Sequence, residues 1–204
     1  MQTGYQIAPS AALPGMKYDL SESRTRTGKN SEGAALPFGV GVTKGANAGE
    51  VEYPDAAGDV VIGISQFQAD VNPGLLVGGG IAVYPDTTAG VSGYPDAAIM
   101  SVLDKGRIYV IVEADVVEGD VAFCRHTANG AGKLQLGAFR KDADSGNAAR
   151  VYGARFVAAS SSVTINGATV KVAPISFDVD ANESAVQALA DEKTRADAAY
   201  APHA

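Results

Sequence analysis

Cys124-Arg-His126 sets a thiol and an imidazole two residues apart, and on a strand such positions share a face. Together they would supply half of a zinc site, which takes four ligands at defined spacing. No second pair completes it. Cys124 is the only cysteine, so no intrachain disulfide forms, and the other histidine, His203, sits at the very end of the chain. A Ser-His-Asp triad would have to use His126, and no Gly-x-Ser-x-Gly elbow is present. Asp142-Ala-Asp144 and Asp178-Val-Asp180 are paired carboxylates, but the first lacks the Gly and closing Glu of a calcium loop. No Lys-Ser/Thr follows Gly78-Gly-Gly80, so a phosphate loop fails. With no Trp and 7% aromatic residues, a sugar-stacking platform is poorly provided. The expectation is no catalytic residue, no metal and no cofactor, with Cys124 a small buried hydrophobe. A hydrolase would need His126 exposed in a cleft.

What remains is a body to be built. Hydrophobic residues make up 46% of the 204, enough for a packed core. Gly occurs 24 times, well above the usual ~7%, and Pro nine times, which suits short strands and tight turns. The net charge of −7 repels a phosphate backbone, and the densest basic stretch, Arg24-Thr-Arg26-Thr-Gly-Lys29, holds three charges. Direct nucleic-acid binding is not expected. Neither a secretory leader nor an apolar stretch approaching the ~18 residues of a membrane span is visible, so no membrane is expected.

The central stretch, Ile99 to Cys124, reads as three strands: 99–103, 108–112 and 121–124. Asp104-Lys105-Gly106 and Glu118-Gly119-Asp120 read as the turns between them, so pairing is antiparallel. Further strands are expected at 36–43, 50–53, 60–65, 81–84, 133–139, 151–158, 163–165, 168–172 and 175–179. Asn166-Gly167 favours a type I′ hairpin turn. Tyr-Pro-Asp recurs at Tyr53, Tyr84 and Tyr94, a reused turn at strand ends.

Both ends differ from this body. Residues 21–32 contain no bulky apolar side chain, and residues 1–35 read as an extended arm without a core. After it, 36–180 read as the β domain and 181–204 as a short helix and tail. Asp180-Ala-Asn-Glu183 is a candidate capping box for a helix over 184–200, stopped by Pro202. The fold class is therefore mainly β: an antiparallel barrel or sandwich with an extended N-terminal arm and a short C-terminal helix.

One ordered set of motifs is similar to a known family. Pro-Phe-Gly-Val-Gly-Val (37–42) is followed by Val-Ile-Gly-Ile (61–64), then Met-Ser-Val-Leu-Asp-Lys-Gly-Arg-Ile-Tyr-Val (100–110) and Val-Val-Glu-Gly-Asp-Val-Ala (116–122). Over roughly residues 36–180 the chain resembles the structural cement, or capsid decoration, proteins of tailed bacteriophages. The resemblance implies a non-enzymatic virion protein, made in the host cytoplasm and bound outside the shell. There it would clamp major capsid protein subunits against internal DNA pressure. A homo-oligomer, dimer or trimer, would suit a repeated lattice. The alternative is a β-rich receptor-binding or fibre-associated module, for which Tyr84 and Tyr94 are the one close aromatic pair.

The arm offers apolar anchors along a Pro/Gly backbone: Tyr5, Ile7, Leu13, Met16, Tyr18 and Leu20. These are the expected capsid contacts, with Arg24, Arg26 and Lys29 adding charge pairs. Val186, Leu189 and Tyr200 on the helix are the expected contacts between copies. On this reading, deleting residues 1–30 leaves the barrel folded and abolishes capsid binding.

Overall fold

The computed structural model describes residues 12–19, 22–67, 82–83, 90–91, 93–130, 133–165 and 168–199. In chain order the strands are β1 (Arg24–Asn30), β2 (Leu36–Pro37), β3 (Gly41–Lys44), β4 (Glu50–Glu52), β5 (Gly63–Ser65), β6 (Ala82–Val83), β7 (Gly90–Val91), β8 (Gly93–Tyr94), β9 (Ile99–Ile111), β10 (Val121–Arg125), β11 (Phe139–Arg140), β12 (Ala148–Phe156), β13 (Ser161–Ile165) and β14 (Ala168–Asp178). One helix follows, α1 (Val179–Ala199).

The centre is a single strand where two are expected. β9 runs unbroken for 13 residues through Asp104-Lys105-Gly106. Gly106 has φ +134°, so the chain bends there without reversing. Partners on both sides of the bend hold it extended. Before it, β9 pairs with β1 and β5; beyond it, β9 pairs with β14.

The first half of β9 closes a barrel. β9 pairs with β5, β5 with β3, β3 with β4, β4 with β1, and β1 returns to β9. The architecture is thus a closed five-stranded barrel, antiparallel except where β1 meets β4 in parallel. β1 lies in the section read as an arm without a core. Its buried positions are Gly28 and Asn30, so its inward face carries no large apolar group. The strand contributes backbone, six register pairs to β9, rather than side-chain volume.

The second half of β9 carries β14, β12, β10 and β11 in that order, with β13 on β14. The register Ile165↔Ala168 joins β13 to β14 around residues 166–167, which lie outside the described set. The strand expected at 133–139 is reduced to Phe139–Arg140. Before it stand only a bridge from Lys133 to Asn129 and a turn at Leu136-Gly137. Leu36, Val40, Ile64, Leu103, Ile108 and Ile111 are fully buried in one core with Phe156, Ile175 and Phe177. Phe38 meets both Phe67 and Tyr94 edge-on at 5.2 and 5.1 Å, a favoured aromatic arrangement.

α1 leaves β14 with no loop between them. Asp178 Oδ1 accepts from the Asp180 N–H at 3.1 Å, so the cap is Asp178 and the helix begins at Val179, not 184. Asn182, read as part of a capping box, is buried and spans two elements. Its Nδ2 donates to the Val61 carbonyl and its Oδ1 accepts from the Tyr152 N–H, each at 2.9 Å. At this crossing Gly153 leaves no room: a Cβ there would lie 2.0 Å from the Asp178 carbonyl oxygen. Gly153→Ala is therefore expected to lower stability by ~3 kcal/mol or more. A denaturant midpoint equal to wild type would show that the crossing yields freely. Beyond this root, every side chain from Gln187 to Arg195 is exposed. Among the described residues no helix is long and apolar enough to cross a membrane.

Candidate functional site

Local structure disposes of the thiol and the imidazole first. β10 alternates inward and outward, and Cys124 points into the core at 1% exposure. Burial pushes its thiol well above the usual range. His126 is 6% exposed, with Nδ1 2.9 Å from Thr127 Oγ1. Cys124 is enclosed in the core, whereas His126, though largely buried, is among the residues lining a cleft of about 380 Å³ beside β12.

The residue between them carries more consequence. Arg125 is fully buried, and its Nε and Nη2 donate to the two Glu113 oxygens at 2.5 and 2.8 Å. Nη2 also donates to Asp144 Oδ2 at 2.6 Å, while Arg140 bonds Glu113, Asp142 and Asp144. The Arg125 hydrogen bond, with Arg140 nearby, holds the Asp144 carboxyl below the usual carboxylate range. Asp142 and Asp144 are thus held by arginines. Asp178 caps α1 and pairs with Lys105, and Asp180 pairs with Arg24. Among the described residues no three of His, Cys, Asp and Glu gather as metal ligands would.

The surface residues tell more. Residues 13–18 run antiparallel along β9, with Gly15 N–H donating to the Tyr109 carbonyl at 2.7 Å and Tyr18 N–H to the Arg107 carbonyl at 3.0 Å. Leu13 packs against the core. Met16 and Tyr18 face outward, 40% and 39% exposed, and the Tyr18 ring stands edge-on to Tyr109 at 5.4 Å. Tyr5, Ile7, Leu20 and Tyr200 lie outside the described residues.

The three expected cationic contacts are engaged within the chain. Arg24 Nε donates to Asp104 at 3.0 Å, and its Nη1 and Nη2 reach the two Asp180 oxygens, tying β1 to β9 and α1. Lys29 pairs with Glu50 at 3.3 Å, and Arg26 Nη2 donates to the Ile62 carbonyl. On the helix, Leu189 is exposed and Val186 half-buried, both lining a cleft of about 380 Å³ beside β12. Arg150 sits over the Tyr152 ring in that cleft, 4.9 Å from its centroid. Tyr94, one of the two tyrosines a sugar could use, is fully buried. Its hydroxyl donates to the Gln66 carbonyl and accepts from the Ser101 N–H.

Comparison with known proteins follows from this geometry. A search among curated proteins finds no match. Among solved structures, a chain from "The capsid of Myoviridae Phage XM1" superposes with a TM-score of 0.53 at 15% identity, covering 85% of this chain and 96% of that one. At that identity the likeness concerns the fold. The sequence matches the family described as structural cement protein (E217 gp24/Pam3 gp6) over residues 1–178, from the first residue to the end of β14. The chain belongs to the structural cement protein family.

Proposed function

We propose that this protein decorates the outer surface of a phage head, binding the major capsid protein lattice without catalysis and bracing it against internal DNA pressure. The observation that carries the reading is the family match, which takes in the N-terminal section together with the barrel. Physical features agree with it. Met16 and Tyr18 are held out from the barrel on a backbone fixed to β9, ready-made apolar anchors with little left to order on binding. Tyr5, Ile7 and Leu20 extend that set along the chain. Val186, Leu189 and Tyr200 are proposed to join copies into a dimer or trimer, because beyond its packed root the helix exposes every side chain from Gln187 to Arg195, and such a helix is marginal in water.

The test is co-sedimentation with expanded shells lacking the protein, followed by a heat challenge that scores DNA release. Saturable binding that raises the release temperature is expected. Removing residues 1–11 is expected to weaken shell binding at least ~10-fold while the folded body persists. Wild-type protein that binds no form of the shell would end the reading.

A further inference from the structure

Four neighbouring backbones align one row of side chains on the outer face of the second sheet. Arg155 on β12 is in register with Ser176 on β14, and Ser176 with Arg107 on β9. Tyr18 ends the row, on the segment bridged to β9 at Lys17↔Ile108. Side chains at paired positions share a face and stand ~4.5–5.5 Å apart at Cβ. The four line a groove of about 510 Å³, walled on one side by the Glu118-Gly119 turn.

Its composition is that of a binding centre rather than a solvated slope. Two guanidinium groups border it. Arg107 Nη1 donates to Asp19 at 2.9 Å. Arg155 has no carboxylate partner among the described residues; its Nη1 donates to the Gly119 carbonyl at 3.2 Å. Tyr18 adds apolar surface within the groove; Met16, two residues before it, and Val117, next to Glu118, are exposed as well. Arginine, tyrosine and methionine are the residues that protein interfaces concentrate.

We propose that this groove seats an extended, carboxylate-bearing segment of a major capsid subunit, its carboxylate held by Arg155 and Arg107 and its neighbouring apolar side chain against Tyr18. The inference rests on the capsid-binding reading above. Charge selects the occupant. A body of −7 repels an acidic segment over most of its surface; the groove attracts it chiefly at Arg155, since Arg107, one strand beyond Ser176, shares its charge with Asp19 and Glu118 borders the wall. The family match supplies the source: it spans residues 1–178, which include every residue lining this groove.

Arg155→Glu and Arg155→Lys are compared with wild type for occupancy of empty expanded shells of the major capsid protein, at low and high salt. Sedimentation and melting of the free proteins are followed in parallel. Arg155→Glu is expected to bind at least ~10-fold more weakly at low salt, with melting and sedimentation unchanged. Arg155→Lys, which keeps the charge but loses the fork, is expected to fall between. Wild-type affinity should drop with salt more steeply than that of Arg155→Glu. Equal occupancy by Arg155→Glu and wild type at both salts overturns the proposal. So does a changed sedimentation with occupancy kept, which would assign the groove to a second copy. Wild-type protein that binds no shell overturns the capsid reading itself, a result separable from any difference between variants.

Discussion

Deleting residues 1–30 is expected to abolish folding, whereas deleting residues 1–11 is expected to leave the melting transition close to wild type. The difference is β1. It supplies six register pairs to β9 and the parallel pairing to β4 that completes the ring. Gly28 lies against Val51, and β1 covers the face on which Val51 and Val102 are buried at 4% and 0% exposure. Uncovering two valines costs ~1.5–3 kcal/mol each. The open ring also strands the Asp104 carboxylate, which loses Arg24, and leaves β4 and β9 with unpaired edges. Against a total stability of ~5–15 kcal/mol, losses on this scale are decisive. All the contacts named here are made by residues 24–30 and their partners, which the shorter deletion keeps. Circular dichroism and melting of the two truncations check the prediction; a cooperative transition in the longer deletion would show that the ring closes without β1. A capsid-binding assay on that deletion would report unfolding, so the shorter one is the informative variant.

Arg125→Met is expected to cost about 3–5 kcal/mol, because it leaves Glu113 buried with a single remaining cation. The Glu113 side chain is 1% exposed, and Arg140 would reach it at 3.2 Å alone. The double change Arg125→Met with Glu113→Leu is expected to recover most of the loss, since removing both members of a buried pair is far milder than removing one. Urea unfolding of the four proteins in this cycle measures the coupling. Double and single variants of equal stability would mean that the pair does not act as a unit. The network also sets an acid limit. Asp144 has a folded pKa below its unfolded value of ~3.9. Its contribution is therefore present above about pH 4 and is lost as pH falls through the lower folded value. Removing Arg125 should flatten stability against pH in that acid window.

The sequence makes the outline of this fold readable and hides its closure. Alternating apolar residues and turn signals locate β12, the β13–β14 hairpin and the core of β9, because those strands bury side chains. β1 escapes the same test because its inward positions are Gly28 and Asn30. Asp104-Lys105-Gly106 has the composition of a turn. What keeps it extended is β1 on one side of the bend and β14 on the other, both far away in sequence. Asp180 and Glu183 have the composition of a capping box, but Asp178 caps the helix, Asp180 pairs with Arg24, and Asn182 between them bonds Val61 and Tyr152. The candidate surface divides in the same way. Met16 and Tyr18 could be named from residue type and a Pro/Gly setting. Arg107 and Arg155 could not, since only the register across three strands brings them together.

The bend at Gly106 bears on how the molecule comes apart. The ring and the second sheet are not two bodies joined by a linker; they hold opposite ends of one strand. Melting the ring frees the first half of β9 and pulls on the ladder to β14, and melting the second sheet does the same in reverse. Covalent continuity thus couples the two halves, and the chain is expected to unfold in one cooperative transition. On the proposed shell a half-melted copy would offer bare strand edges to its neighbours, and a strand shared between the halves disfavours that state.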